Sequence, residues 1–109
     1  MVQPSEIYLV ESVDLGKCKD ARPCLVLYVS GKDARICCLS AQMDLAEGGE
    51  VTLLKSDPDF TASGLKRSSY IPMFAEYEIP VAALERSKRL GAAQGGFKKK
   101  VENFFGISF

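Results

Sequence analysis

Ala21-Arg22-Pro23-Cys24-Leu25-Val26-Leu27-Tyr28-Val29-Ser30 is followed, across Gly31-Lys32-Asp33, by Ala34-Arg35-Ile36-Cys37-Cys38-Leu39-Ser40-Ala41-Gln42. The two runs read as a β-hairpin. Pro23 fixes its own φ and biases Arg22 toward extended backbone. The Val, Leu and Tyr after it suit a buried strand. Ser30-Gly31-Lys32-Asp33 supplies turn chemistry, and Ser40-Ala41-Gln42 stops the second apolar run. The hairpin thus sets one arginine and one hydroxyl at strand ends.

Outward from the hairpin, Glu6-Ile7-Tyr8-Leu9-Val10 reads as a first strand, joined to the second by a polar loop over 14–21. Strand two covers about 23–30 and strand three about 34–40. Glu47-Gly48-Gly49-Glu50 is a turn before a strand at Val51-Thr52-Leu53-Leu54, and Asp57-Pro58-Asp59 breaks the chain again. Ser69-Tyr70-Ile71-Pro72-Met73 and Glu76-Tyr77-Glu78-Ile79 are short strands, the first at an edge or bulge because of Pro72. Residues 80–86 make one or two helical turns with Pro80 near the start. After Gly95-Gly96, Phe97, Val101, Phe104 and Phe105 form a helical stripe, with core packing expected for Phe97, Val101 and Phe104 and Gly106 as the stop. Short strands, tight turns and one late helix predict a mainly β fold, a small β-barrel with a C-terminal helix.

A chain of 109 residues has room for one core, so residues 1–109 are expected to form a single domain. Net charge is zero, which by itself points to no partner, but the charge is uneven. Lys66 to Lys100 carries eight Lys or Arg against three Glu, an arrangement that permits a basic face or an ordinary solvated surface. Four cysteines, no histidine and no C-x-x-C leave no usual zinc set. Cys37 and Cys38 are adjacent in a strand and point to opposite faces. Buried reduced thiols fit a reducing, cytoplasmic setting. Residues 1–30 lack a charged n-region followed by an apolar core, so no signal peptide is expected, and no apolar run nears the roughly 20 residues a membrane span needs.

Four motifs in order resemble the MazF/PemK/Kid family, the toxins of bacterial type II toxin–antitoxin pairs. Arg22-Pro23 stands where that family opens its second strand. Ser40-Ala41-Gln42 is similar to the Thr-Ala-Gln after its third. Ser63-Gly64-Leu65-Lys66-Arg67-Ser68-Ser69-Tyr70-Ile71 resembles a Gly-Leu-x-x-x-Ser-x-Ile segment, and Arg89-Leu90-Gly91 before an amphipathic helix resembles the usual ending. The resemblance spans roughly residues 5–106. It implies an SH3-like barrel of the CcdB/Kid/MazF type, a homodimer, and a cognate acidic antitoxin. It also implies metal-independent cleavage of single-stranded RNA without a cofactor, the 2′-hydroxyl attacking the adjacent phosphate.

Such a reaction needs a base, an acid and charge stabilisation. Arg22 is the first candidate, since its forked donors fit phosphate oxygens and its charge is permanent; the alternative is a surface ion pair with Asp20 or Glu11. Ser40 is the second, able to donate to a phosphate oxygen or to serve only as a turn serine. Gln42, Lys17, Lys19, Lys66 and Arg67 are candidates for holding RNA, while Tyr28, Tyr70 or Phe74 are candidates to stack on bases. Arg35 is a further basic strand residue, and Lys98-Lys99-Lys100 is a solvated helix face or a site for an acidic antitoxin tail.

The departures from the family pattern concern proton transfer. Lys17 stands where several members carry a glutamate, and without gaps Pro72 and Phe74 stand where Kid-like members carry an arginine and an aspartate. An aspartate with its ordinary pKa of about 3.9 is a poor base at neutral pH, and a lysine would need strong desolvation. The same residues therefore also allow a binding module of this fold, weak or inactive in catalysis, for RNA or an antitoxin. A gyrase poison of the CcdB kind shares the fold as well.

Overall fold

The structure is a computed structural model that describes residues 1–11, 21–72 and 75–109. Its strands are β1 (Glu6–Val10), β2 (Arg22–Ser30), β3 (Asp33–Cys38), β4 (Val51–Leu53), β5 (Ser69–Ile71), β6 (Glu76–Pro80) and β7 (Lys88–Ala92). Its helices are α1 (Phe60–Ser63), α2 (Val81–Glu85) and α3 (Gly95–Phe105), with a 3-10 turn at Met43–Leu45. Five strands form one antiparallel sheet in the order β6-β3-β2-β1-β7, and β4 pairs with β5 in a second. The fold is thus mainly β with a C-terminal helix, as expected. Among the described residues no pairing joins β6 to β7, so the five-stranded sheet keeps two edges.

The hairpin forms as its sequence dictates. Ser30 pairs with Asp33 around a two-residue turn, and Gly31 adopts the left-handed φ of +62° that the turn requires. A bulge between Val26 and Tyr28 shifts the register. Leu27 is thereby kept inward and Tyr28 is turned out, 47% exposed.

Strand alternation gives the large sheet two buried faces. Tyr8, Val10, Cys24, Val26, Ile36 and Cys38 form one core with Ile79, Ala83 and Leu84, so α2 covers that face. Ile7, Leu25, Leu27, Cys37 and Leu39 form the other core with β4, β5 and α3. Cys37 and Cys38 fall on opposite faces, and both thiols are buried.

Besides α1 and the 3-10 turn, which the sequence pattern did not announce, two elements depart from the sequence reading. In α3, Phe97 and Val101 are buried and Phe105 packs on the same core, whereas Phe104 is 41% exposed. Phe105 lies four residues after Val101 and eight after Phe97, which keeps the stripe in line; Phe104 falls to its side and meets the Phe105 ring edge-on, centroids 5.0 Å apart. The second departure is β7, a strand the sequence pattern did not announce. Lys88-Arg89-Leu90-Gly91-Ala92 has little β propensity and is held by pairing with β1.

Glycine explains how β7 fits. A Cβ on Gly91 would lie 2.2 Å from the Ala62 carbonyl oxygen, and one on Gly64, at φ +73°, would lie 1.9 Å from that of Leu90. The end of α1 and the middle of β7 therefore cross backbone against backbone. The two motif glycines are the two sides of one contact.

Candidate nucleic-acid interface

Arg22 and Ser40 flank the open end of the hairpin. The β2–β3 ladder runs through Cys24↔Cys38, and the Leu39 N–H donates to the Pro23 carbonyl at 2.9 Å. Proline returns no N–H, so the ladder loses only its last bond. Extended one residue beyond that bond, the same register leads to Arg22 and Ser40, and strand alternation assigns both to the face of Cys24 and Cys38. Arg22 also pairs with Val10 of β1, while Ser40 exchanges two 2.9 Å backbone bonds with Tyr70. Ser40 is thus the residue at which the small sheet joins the large one.

The serine hydroxyl accepts the Gln42 N–H at 3.2 Å, the turn role foreseen for it, which leaves its own O–H to donate. Arg22 is exposed, and among the described residues no carboxylate, Glu11 included, pairs with it. Asp20 lies outside the described residues, as do Lys17, Lys19 and Phe74. The arginine's charge is felt inside: the Cys38 thiol is held below its ordinary pKa, chiefly by a hydrogen bond from Cys24, against burial and with help from Arg22.

On the other face of this strand end lies a hollow of about 280 Å³. Pro23 and Ala41 line it, the chain neighbours of Arg22 and Ser40, together with Leu65, Lys66, Arg67 and Lys88. Lys66 and Arg67 are therefore brought to the rim, with their side chains exposed and, among the described residues, without ion pairs. Lys88 joins them and was not foreseen, because it stands on β7. Gln42 is exposed beside Ser40. The rim thus has an arginine and a hydroxyl on one side and three cations over an apolar floor on the other.

Other candidates separate from this site. Arg35 is joined to Glu76 across β3 and β6 at 3.0 Å, so its charge is matched. The pair lines a larger hollow of about 510 Å³ with Cys37, Pro72 and Phe104. Tyr70 is 5% exposed and offers no ring face to a base. Lys100 reaches the Thr52 carbonyl at 3.4 Å, away from the rim.

For chemistry the arrangement supplies cationic and hydroxyl donors. Among the described residues no carboxylate or lysine is hydrogen-bonded to Arg22 or Ser40. Among them, too, no three Cys, Asp or Glu side chains come together as metal ligands, and no helix is long and apolar enough to cross a membrane. The chain matches no protein-family model and no curated protein.

Proposed function

We propose that this chain is a MazF/PemK-like toxin that acts in the cytoplasm on single-stranded RNA, its two sheets being parts of an SH3-like barrel. The observation that supports the reading is the hairpin register, which runs through Cys24↔Cys38 and the Leu39–Pro23 bond toward Arg22 and Ser40, beside a hollow lined by Lys66, Arg67 and Lys88. A guanidinium and a donating hydroxyl at neighbouring strand ends would fit the two non-bridging oxygens of one phosphodiester. As the 2′-hydroxyl adds to phosphorus, charge grows on those oxygens, and a fixed cation stabilises the pentacoordinate state more than the ground state. The three further cations would follow the backbone on either side of the reacting phosphate. A homodimer and an acidic antitoxin belong to the same reading, the antitoxin competing with RNA for these cations.

A second reading is RNA binding without cleavage. It is favoured by the lack, among the described residues, of a carboxylate or amine bonded to the Arg22–Ser40 pair. One experiment separates the two. Purified chain is incubated with a mixed-sequence single-stranded RNA at low salt, and both retention and 2′,3′-cyclic phosphate ends are scored. Cyclic ends that vanish in Arg22→Ala and fall in Ser40→Ala support the nuclease. Retention of intact RNA supports the binding module, and neither retention nor cleavage ends both readings.

A further inference from the structure

Two nucleophiles lie two residues inside Arg22 and Ser40, and RNA cleavage by that pair would use neither. Cys24 and Cys38 are direct cross-strand partners, with their sulfur atoms 3.3 Å apart. Their position in the ladder is the non-hydrogen-bonded one. The Leu39 N–H points to Pro23, whereas the Cys38 N–H points away from β2, to the Ala75 carbonyl at 3.1 Å. Such pairs hold their Cα atoms about 4.5 Å apart, within the span of about 4.4–6.8 Å that a disulfide bridges. Both side chains face the same core, so rotation about their Cα–Cβ bonds brings the sulfurs together without moving a strand.

We propose that Cys24 and Cys38 form a reversible cross-strand disulfide when the protein meets hydrogen peroxide, which makes the hairpin end an oxidation-responsive site. Cys38 is the attacking group, because Arg22 and the Cys24 S–H favour its thiolate. Its sulfur takes an oxygen from the peroxide as the O–O bond breaks, giving a sulfenic acid and hydroxide. The Cys24 sulfur then attacks Cys38, the S–O bond breaks, and water leaves with the Cys24 proton. Overall, two thiols and one peroxide become one disulfide and two waters. The two electrons pass from sulfur to peroxide oxygen.

Burial selects both the oxidant and the cysteine. Cys24 and Cys38 are 0% and 3% exposed, which favours a reagent little larger than water over a bulky disulfide. The pair sits next to the last rung of the ladder, where strand ends open most readily. Cys37 lies on the opposite face, and burial pushes its thiol pKa far up, so it stays protonated and out of reach. The inference stands on this geometry and does not depend on the RNA reading.

The test is peroxide treatment of the full chain, followed by intact mass and a non-reducing peptide map. The expected result is a loss of about 2 Da, reversed by dithiothreitol, as two thiols become a disulfide, with the Cys24 and Cys38 peptides joined within one chain. Cys24→Ala should leave a Cys38 sulfenic acid that dimedone traps once the treated chain is unfolded in its presence, Cys18→Ala should leave the link intact, and Arg22→Gln should slow its formation. A link through Cys18 or Cys37, a link between chains, or unchanged thiols would overturn the proposal. The map on unaltered protein decides even where a buried alanine fails to fold.

Discussion

The β7 side of the sheet and the open end of the β2–β3 hairpin both contain motifs that the sequence made conspicuous, yet they use them differently. At β7, Gly64 and Gly91 allow two backbones to touch, and Glu6 fixes the strand by accepting from Arg89 at 2.6 Å. Gly64, Gly91, Glu6 and Arg89 are thus all engaged within the fold, whereas Lys88 of the same strand turns to the hollow. At the hairpin end, Arg22 and Ser40 add little packing, and Lys66, Arg67 and Lys88 stand without carboxylates among the described residues. A motif residue that is fully satisfied by its own chain is building the fold. One that the fold positions and leaves unpaired is available for a partner.

The largest expected effect tests the packed side. In Gly91→Ala the new methyl meets carbonyl oxygen and carbon at 2.2 and 2.5 Å, atoms that belong to backbone and cannot rotate away. The expected loss is about 3 kcal/mol or more, read as a lowered urea midpoint or as a failure to fold. Gly64→Ala adds the strain of a left-handed φ and should be no milder. A loss under about 1 kcal/mol in both variants would mean that the crossing is loose. The contrast between the two regions would then fail on its stronger side.

This contrast also accounts for what could be read from sequence. Strands β1 to β3, the turn at Gly31 and the helix over Gly95–Phe105 were legible because local chemistry and burial agree there. Strand β7 was not, since Lys88, Arg89 and Gly91 are poor strand formers and only the pairing with β1 imposes the extended form. Missing β7 hid Lys88 from the site. Arg22 and Ser40 were legible as two strand ends, but their common face depends on the β2–β3 register, which the ladder through Cys24↔Cys38 and the Leu39–Pro23 bond sets. Tyr70 could not be separated from Tyr28 by composition; a bulge exposes one, and the junction of the sheets buries the other.

A smaller effect sharpens the same contrast through pH. Burial raises the Glu6 pKa, but hydrogen bonds from Arg89, the Gln3 N–H and the Tyr8 hydroxyl outweigh it and hold the carboxyl below its ordinary 4.5. The lowered value stabilises the fold above the unfolded-state pKa, and that stability is lost as pH falls through the folded one. Tyr8 behaves oppositely: burial, then its bond to Glu6, pushes it up to about 12 from 10. Its contribution is complete below pH 10 and disappears between 10 and about 12. Urea midpoints measured against pH should therefore fall on both limbs. Glu6→Gln flattens the acid limb and Tyr8→Phe the upper alkaline limb, while the part beginning near pH 9 belongs to buried Cys37. Unchanged limbs in both variants would remove the claim that Glu6 fixes β7.

The smallest effect on stability is the most telling for function. Arg22 is exposed, and among the described residues it forms no ion pair, so Arg22→Ala should change folding free energy by under about 0.5 kcal/mol. If the rim holds phosphate, the same variant should lower the log–log salt slope of RNA binding by about 0.7, the step for one phosphate on a single strand. Lys66→Ala should produce a similar slope change. The two variants part at the chemical step: cleavage, where it occurs, should survive the loss of Lys66 and not that of Arg22, because the hairpin register leads the arginine, not the lysine, toward Ser40. Arg22→Lys then separates charge from geometry, since an ammonium restores the salt slope but cannot present two parallel donors to one phosphate. Should Arg22→Ala instead destabilise the fold as severely as Gly91→Ala, the arginine would be a structural residue. The distinction between a satisfied motif and an available one would then lose its clearest case.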